Sequence, residues 1–373
     1  KCTTDACASV TCDAPPKPRC TDATTRTSFA AMGECDDGIC HYEQMDEACD
    51  GDDKCLEVGG NLTCVACLSN QNCGGTKPVC NLATHTCRAQ PSCAGLAKSC
   101  GPNQDADCCA SSVVPGGSFN RLNDSEHPAT ISDFRLDKYE VTVGRFRKFF
   151  AEIGKFELPE GAGKNINNAD DPGWDASGNQ QFSRELGYIE EQQLNCRNDA
   201  STKPTWTHDA GTSTEARPIN CVGWKAAQAF CIWDGGRLPT DAEWNYAAAG
   251  GDKNRDYPWG SDVPDCDLAN YRACLSGSSG AVAPVGSTPL GDGLYGQSDL
   301  AGNLYEWVQD YWDQDKLPAT CRDCATLKTD VVGRVARGGS YALPDTKLSN
   351  SVRLGLDETT YRDDLGFRCA YAK

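Results

Sequence analysis

The residues of this 373-residue chain that could do chemistry are its 25 cysteines and one short acidic run. Residues 299–306 read DLAGNLYE, with a carboxylate at each end. Calcium takes about six to eight oxygens and accepts carboxylates mixed with backbone carbonyls. A turn through Gly302 can aim the carbonyls of Gly302 and Leu304 toward Asp299 and Glu306. The same residues have a plainer reading, in which Asp299 caps a turn and Glu306 pairs with a core arginine. The four histidines read as surface residues: His41 and His85 sit among dense cysteines, His127 precedes Pro128, and His208 lies in a polar stretch. A zinc ribbon needs two close CxxC pairs, and Cys64-Val-Ala-Cys67 has no second CxxC close to it, so it is weak evidence. No Ser/His/Asp order, phosphate loop or dinucleotide fingerprint stands out.

Seventeen cysteines lie before residue 110 and eight after it. That density reads as a disulfide framework made in an oxidising compartment. A net charge of −18 argues against nucleic acid and anionic membrane surfaces as partners. No apolar run is long enough to span a bilayer. The chain opens on Lys1 and is taken as a mature form whose signal was removed, secreted or held at a cell surface. Asn61 and Asn123 each begin an N-glycosylation sequon.

The elements that must position these residues fall into two regions. Residues 1–110 lack hydrophobic periodicity, so cross-links must hold them as an arm of small modules, one over 10–42 and one over 64–87. Residues 93–109 lead into the second region, 111–373. There Val143, Phe146, Phe150 and Ile153 predict an amphipathic helix, with Thr142 as N-cap and Gly154 as its stop. Residues 224–233 predict a second helix ended by Gly235-Gly236. Thr240-Asp241-Ala242-Glu243 is a capping box that opens a third. Residues 155–215 form a long polar excursion, and the remainder reads as short strands and turns.

The sequence GGRLPTDAEWNYAAAGG (235–251) followed by YPWG resembles the signature of the formylglycine-generating enzymes, or sulfatase-modifying factors. In the same order come VPGGSF (114–119), DKYEVTVGRFRKF (137–149), DLAGNLYEW (299–307), RVARGGSY (334–341) and LGFRCA (365–370). The 10–42 and 64–87 modules resemble, less specifically, Cys-rich modules of secreted myxobacterial proteins. The main resemblance implies an α+β fold similar to C-type lectins, with little regular secondary structure and bound calcium. Asp299, Gly302, Leu304 and Glu306 match one calcium site. Asn270 and Tyr271 match part of a second, whose acidic member is missing from 277–280. The resemblance also implies a Cys231–Cys369 disulfide; locality suggests Cys196–Cys221, Cys266–Cys274 and Cys321–Cys324.

Active members carry two cysteines after GGSY that bind copper(I), a metal selected by soft thiolates. Here those positions are Leu343 and Leu348, and Asp364 stands where the family has Asn. Copper is therefore not expected, and Ser340, Arg353 and Arg368 remain as a possible ligand pocket. A sister branch that makes sulfoxides takes its iron ligands from a helical domain with no counterpart here. The expectation is a calcium-stabilised binding or structural protein for an extracellular protein or glycan ligand, not an enzyme. Alternatives are an oxidase or related oxidoreductase with altered ligands, and a subunit of an extracellular polymer. With an odd number of cysteines, disulfide-linked self-association through Cys2 or Cys7 is a further expectation.

Overall fold

The computed structural model describes all residues except 1–9, 38, 52, 59–60, 68–78, 82–85, 180–193, 197–201, 212, 275–281, 314–316 and 328–332. Cys2, Cys7, His85 and the 277–280 stretch thus lie outside the described residues. The chain forms two compact units, residues 1–88 and 89–373.

In the first unit, β1 (Arg19–Cys20), β2 (Thr25–Phe29) and β5 (Gln44–Ala48) form a three-stranded sheet. Three two-stranded ladders accompany it: β3 (Glu34–Asp36) with β4 (Ile39–His41), β6 (Lys54–Val58) with β7 (Asn61–Val65), and β8 (Val79–Asn81) with β9 (Thr86–Arg88). Cysteines dominate its buried hydrophobic residues: Cys12, Cys49, Cys55, Cys67 and Cys80, with Val79. Disulfides Cys12–Cys40, Cys20–Cys55, Cys49–Cys64 and Cys67–Cys80 therefore stand where a core would. Cys20–Cys55 ties residues 10–42 to the following hairpin, so the first module is not closed by its own cysteines.

The second unit begins earlier than residue 111. The 89–110 segment belongs to it because Ser92 Oγ and Gln90 Nε2 donate to the buried Asp234 carboxylate, at 2.9 and 3.2 Å. Cys93–Cys109 and Cys100–Cys108 staple the segment. Three short sheets follow. β10 (Ser111–Val114), β13 (Phe134–Asp137) and β19 (Ala370–Ala372) make the first. β11 (Gly117–Asn120), β12 (Pro128–Ile131) and β15 (Cys321–Arg322) make the second. The third has the order β17 (Leu354–Leu356), β16 (Arg334–Arg337), β14 (Tyr305–Tyr311), β18 (Leu365–Phe367).

Among the described residues, three α-helices pack on these sheets. Helix α1 (Val143–Glu152) starts where the Thr142 hydroxyl accepts the Arg145 N–H. It buries Phe149 as well as Val143 and Phe146, with Phe150 only half-buried. Helix α2 (Trp224–Trp233) ends at Asp234, after which Gly235 takes the left-handed φ of 91°. Helix α3 (Asp241–Ala248) has a complete capping box: Thr240 Oγ1 accepts the Glu243 N–H, and Glu243 accepts the Thr240 N–H. The same Glu243 holds both Nη atoms of Arg237, so the helix start is also a buried ion pair.

Phe146, Phe149, Phe230, Trp233 and Phe367 form one aromatic cluster between α1, α2 and β18. Cys231 and Cys369 are bonded across it, 138 residues apart. A loop of that length gives a stabilisation of about 4–5 kcal/mol at most in the chain-entropy model. Replacing both cysteines by Ala is expected to lower the denaturation midpoint and to steepen the denaturant slope, because the unfolded chain expands once the loop is opened. An unchanged midpoint would show that the bond adds nothing to the packed aromatic cluster.

Candidate functional site

One of the fully buried charge clusters of the second unit surrounds Arg368. Its side chain and that of Glu306 are both fully buried. Arg368 Nε and Nη2 donate to the two Glu306 oxygens at 2.7 and 2.6 Å. Trp244 Nε1 adds a third donor to Glu306 at 2.8 Å. Glu306 thus takes the core-arginine partner that the sequence left open. Asp299 accepts the Gly286 N–H at 2.6 Å, with its own φ at 60°. Glu140 accepts Asn303 Nδ2 at 2.6 Å and the Leu304 N–H at 3.0 Å. Burial, then the charges of Asp299 and Glu306, hold the Glu140 carboxyl well above its usual range. Burial likewise raises Asp299 to about 6. Gly302, at φ 81°, is required here: a Cβ would sit 2.4 Å from the Asn270 carbonyl oxygen. Asn270 also donates through Nδ2 to Asn303 Oδ1, and Tyr271 donates to the Pro264 carbonyl.

A second polar group stands at the end of β16, after Gly338-Gly339. The buried Ser340 hydroxyl donates to Asp364 Oδ2 at 2.9 Å. Arg362 grips the same carboxylate through Nε and Nη2, both at 2.7 Å. Tyr341 Oη donates to Asp363 at 3.0 Å, and burial raises that phenol. The Cys221 N–H donates to the Arg362 carbonyl at 3.0 Å, which sets the Cys196–Cys221 disulfide beside this network. Cys196 and Cys221 have φ of 47° and 59°. Non-glycine residues held there cost on the order of 1–3 kcal/mol each, and such positions cluster at functional sites.

Ser340, Arg353 and Arg368 do not share a partner. Arg353 goes to Asp241 at 2.8 Å, alongside Arg337 at the same distance. The three mark three buried networks rather than one pocket. Asp310 belongs with the Arg353 group: it accepts the Asp241 N–H at 2.7 Å and the Thr326 N–H at 2.7 Å. Burial, then the Asp241 charge, pushes Asp310 up to about 7.

Leu343 packs half-buried against the main core, while Leu348 is fully buried with Ala269, Tyr271 and Ala301. The eight cysteines beyond residue 110 are joined as Cys196–Cys221, Cys231–Cys369, Cys266–Cys274 and Cys321–Cys324.

A family model for the sulfatase-modifying factor enzyme 1-like domain matches residues 97–373. The chain belongs to that family. The mouse (Mus musculus) formylglycine-generating enzyme is 27% identical over 295 residues, covering 69% of this chain and 73% of its own. A bovine (Bos taurus) protein, the inactive C-alpha-formylglycine-generating enzyme 2, is 30% identical, covering 69% and 86%. A Mycolicibacterium smegmatis hercynine oxygenase is 30% identical over 212 residues, covering 52% and 44%. Among solved structures, PvdO from Pseudomonas aeruginosa covers 70% of this chain and 94% of its own, at 20% identity and a TM-score of 0.49.

These findings correct one expectation. Leu343 and Leu348 suggested a sulfatase-modifying-factor domain that has lost its cysteine pair and, with it, enzymatic function. The family's catalytic region here retains paired cysteines, Cys196–Cys221 beside Ser340 and Asp364 among them. Two leucines chosen by motif spacing are packing residues and do not decide whether the domain is an enzyme.

The raised carboxyls fix a pH dependence. Asp299 at about 6 and Asp310 at about 7 bind protons that an unfolded Asp, with a pKa of about 3.9, has released. Their contribution is therefore full at low pH and is lost as pH rises from about 4 through 7. Denaturant midpoints in chelator are expected to fall across that window, and Asp310→Asn is expected to flatten its upper part. An unaltered slope in the variant would remove Asp310 as a source.

Proposed function

We propose that the second unit is an oxidoreductase of the formylglycine-generating-enzyme type, working with an altered ligand set on a thiol-bearing substrate. The observation that carries this reading is the family match over 97–373, whose matched region includes the Ser340–Asp364–Arg362 network bordered by Cys196–Cys221. Arg362 neutralises Asp364, so the Ser340 hydroxyl serves as a fixed donor and has no base to activate it. The side chain of Arg362 is 36% exposed, the point at which this network meets solvent. Copper(I) does not fit the residues present. The twelve cysteines of this unit are all in disulfides, which leaves no thiolate for a soft cation. No step is routed through copper.

Calcium suits the Arg368 cluster better. Glu140, Asp299 and Glu306 are buried with Arg368 as the cation that contacts Glu306, leaving excess negative charge among hard oxygen donors. Asp299, Glu140 and the carbonyls of Gly302 and Leu304 would hold the ion, which would supply structural stability. The sequence missed Glu140, because it lies about 160 residues before its partners and no local motif marks it. An extracytoplasmic location is part of the proposal and is supported by ten described disulfides in one chain.

The test supplies a Cys-x-Pro-x-Arg peptide and oxygen, with copper or iron salts in separate arms, and follows the thiol by mass. The proposal expects thiol loss above a no-protein control, reduced at least tenfold in Asp364→Ala. Thiol loss equal to the control in every arm would sink it. For calcium, chelation is expected to lower the melting temperature and Glu140→Gln to abolish that shift; an identical melting curve in chelator would count against the ion.

A further inference from the structure

Cys321-Arg-Asp-Cys324 is a closed C-x-x-C disulfide on β15, with the shortest separation of the ten described, three residues. Cross-linking so short a loop removes little entropy from the unfolded chain. Nor does the turn depend on the bond for its shape. β15 pairs in parallel with β12, Ala129 opposite Cys321. The Asp323 N–H donates to the Thr130 carbonyl at 2.9 Å, and the Asp323 carboxylate accepts the N–H and hydroxyl of Ser132 at 2.6 and 2.8 Å. Those contacts hold Asp323 at φ 48°, so an opened pair keeps its two sulfurs facing each other.

The two sulfurs have different surroundings. Cys321 is 6% exposed, while Cys324 is half-buried and so the more accessible. Arg121, only 3% exposed, points Nη1 at Cys324 Sγ from 3.9 Å. Its other nitrogens donate to the carbonyls of His127 and Pro318, and among the described residues no carboxylate forms an ion pair with it. Burial holds the guanidinium below its usual range although Asp241 and Asp310 act on it from beyond ion-pair distance; a buried guanidinium without a contacting counter-ion is costly. A thiolate at Cys324 would supply one, and nearby cations lower thiol pKa values. The Arg121 turn is itself held in place: Leu122 and Asn123 have φ of 57° and 60°, and the Leu122 N–H donates to Asn245 on α3 at 2.8 Å.

We propose that Cys321–Cys324 is a thiol–disulfide exchange site, with Arg121 stabilising the Cys324 thiolate and a dithiol peptide or protein as substrate. A substrate thiolate attacks Cys324 Sγ. The Cys321–Cys324 bond breaks, and its electron pair leaves on Cys321, which takes a proton. The second substrate thiolate then attacks the substrate sulfur of the mixed disulfide, and Cys324 leaves as a thiolate against Arg121. The substrate loses two electrons and two protons as its own disulfide forms; the protein pair gains the two electrons. A small-molecule disulfide such as oxidised glutathione restores it. A better leaving thiolate speeds the second exchange. The site needs neither oxygen nor a metal, so its failure and that of the oxidase reading are separable.

The test uses the full chain in graded mixtures of reduced and oxidised glutathione, with alkylation and peptide mapping. Cys321 and Cys324 are expected to open while Cys231–Cys369 and Cys196–Cys221 stay closed. In the reduced form, alkylation of Cys324 is expected to titrate below the ordinary thiol value of about 8.5. Arg121→Gln should return it upward by at least one pH unit and Arg121→Lys should not. Cys321→Ser, given a peptide disulfide, should accumulate a Cys324–peptide mixed disulfide as the peptide's other sulfur leaves as a thiolate, even if Arg121→Gln fails to fold. A pair that stays closed until the protein unfolds, or a Cys324 profile unmoved by Arg121→Gln, overturns the assignment.

Discussion

The Arg368–Glu306 pair is the contact on which the second unit closes. Arg368 has five N–H donors, and each has an acceptor: two go to Glu306, one each to the carbonyls of Asp137 and Lys138, and one to Ser298. One side chain thereby ties the end of β13, the turn before Asp299 and strand β14 to the C-terminal strands. The next residue, Cys369, fixes the same point to α2. Removing either partner of a fully buried pair leaves a charge uncompensated, which costs about 3–5 kcal/mol. The geometry of Glu140 and Asp299 therefore depends on Arg368 even though neither carboxylate touches it in the contacts described above.

That arrangement repeats. Arg145 joins Asp137 and Asp234, Arg337 and Arg353 share Asp241, and Arg237 holds Glu243. The reason lies in the secondary structure. With helices of eight to ten residues and strands mostly of three or four, many backbone groups have no ladder partner. Buried loops must still satisfy their N–H and C=O groups. Arginine, a five-donor fork that stays charged, does this for carbonyls while pairing with a carboxylate. Networks of this kind tie distant loops together where regular structure is sparse.

Features that live in a short window were legible in the sequence. The capping box at Thr240 and Glu243 and the 3.6-residue spacing of 224–233 both specify helices through contacts within one or two turns. The glycine at 302 announces a tight turn. What was not legible joins distant positions. Ser92 meets Asp234, and Arg121 meets Cys324, across 142 and 203 residues. No periodicity encodes such pairs. The segment 89–110 reads as part of the arm for the same reason: its cysteine density resembles the first unit, while its hydrogen bonds belong to the second. Leu343 and Leu348 show the opposite case: motif spacing marks them as a gap in a site, while both positions serve packing.

The disulfides of the two units answer different physical needs. In residues 1–88 little apolar surface is buried, so bonds spanning 13 to 35 residues supply the restraint that hydrophobic burial supplies elsewhere. The second unit has an aromatic core and needs no such framework. There Cys231–Cys369 closes a loop long enough to gain from chain entropy, and it sits inside that core. Cys321–Cys324 does neither: its loop is minimal, and its turn is already pinned by Ser132 and Thr130. A cross-link that restrains almost nothing is free to open and close without disturbing the fold around it. The cation beside it biases which sulfur carries the charge when it does.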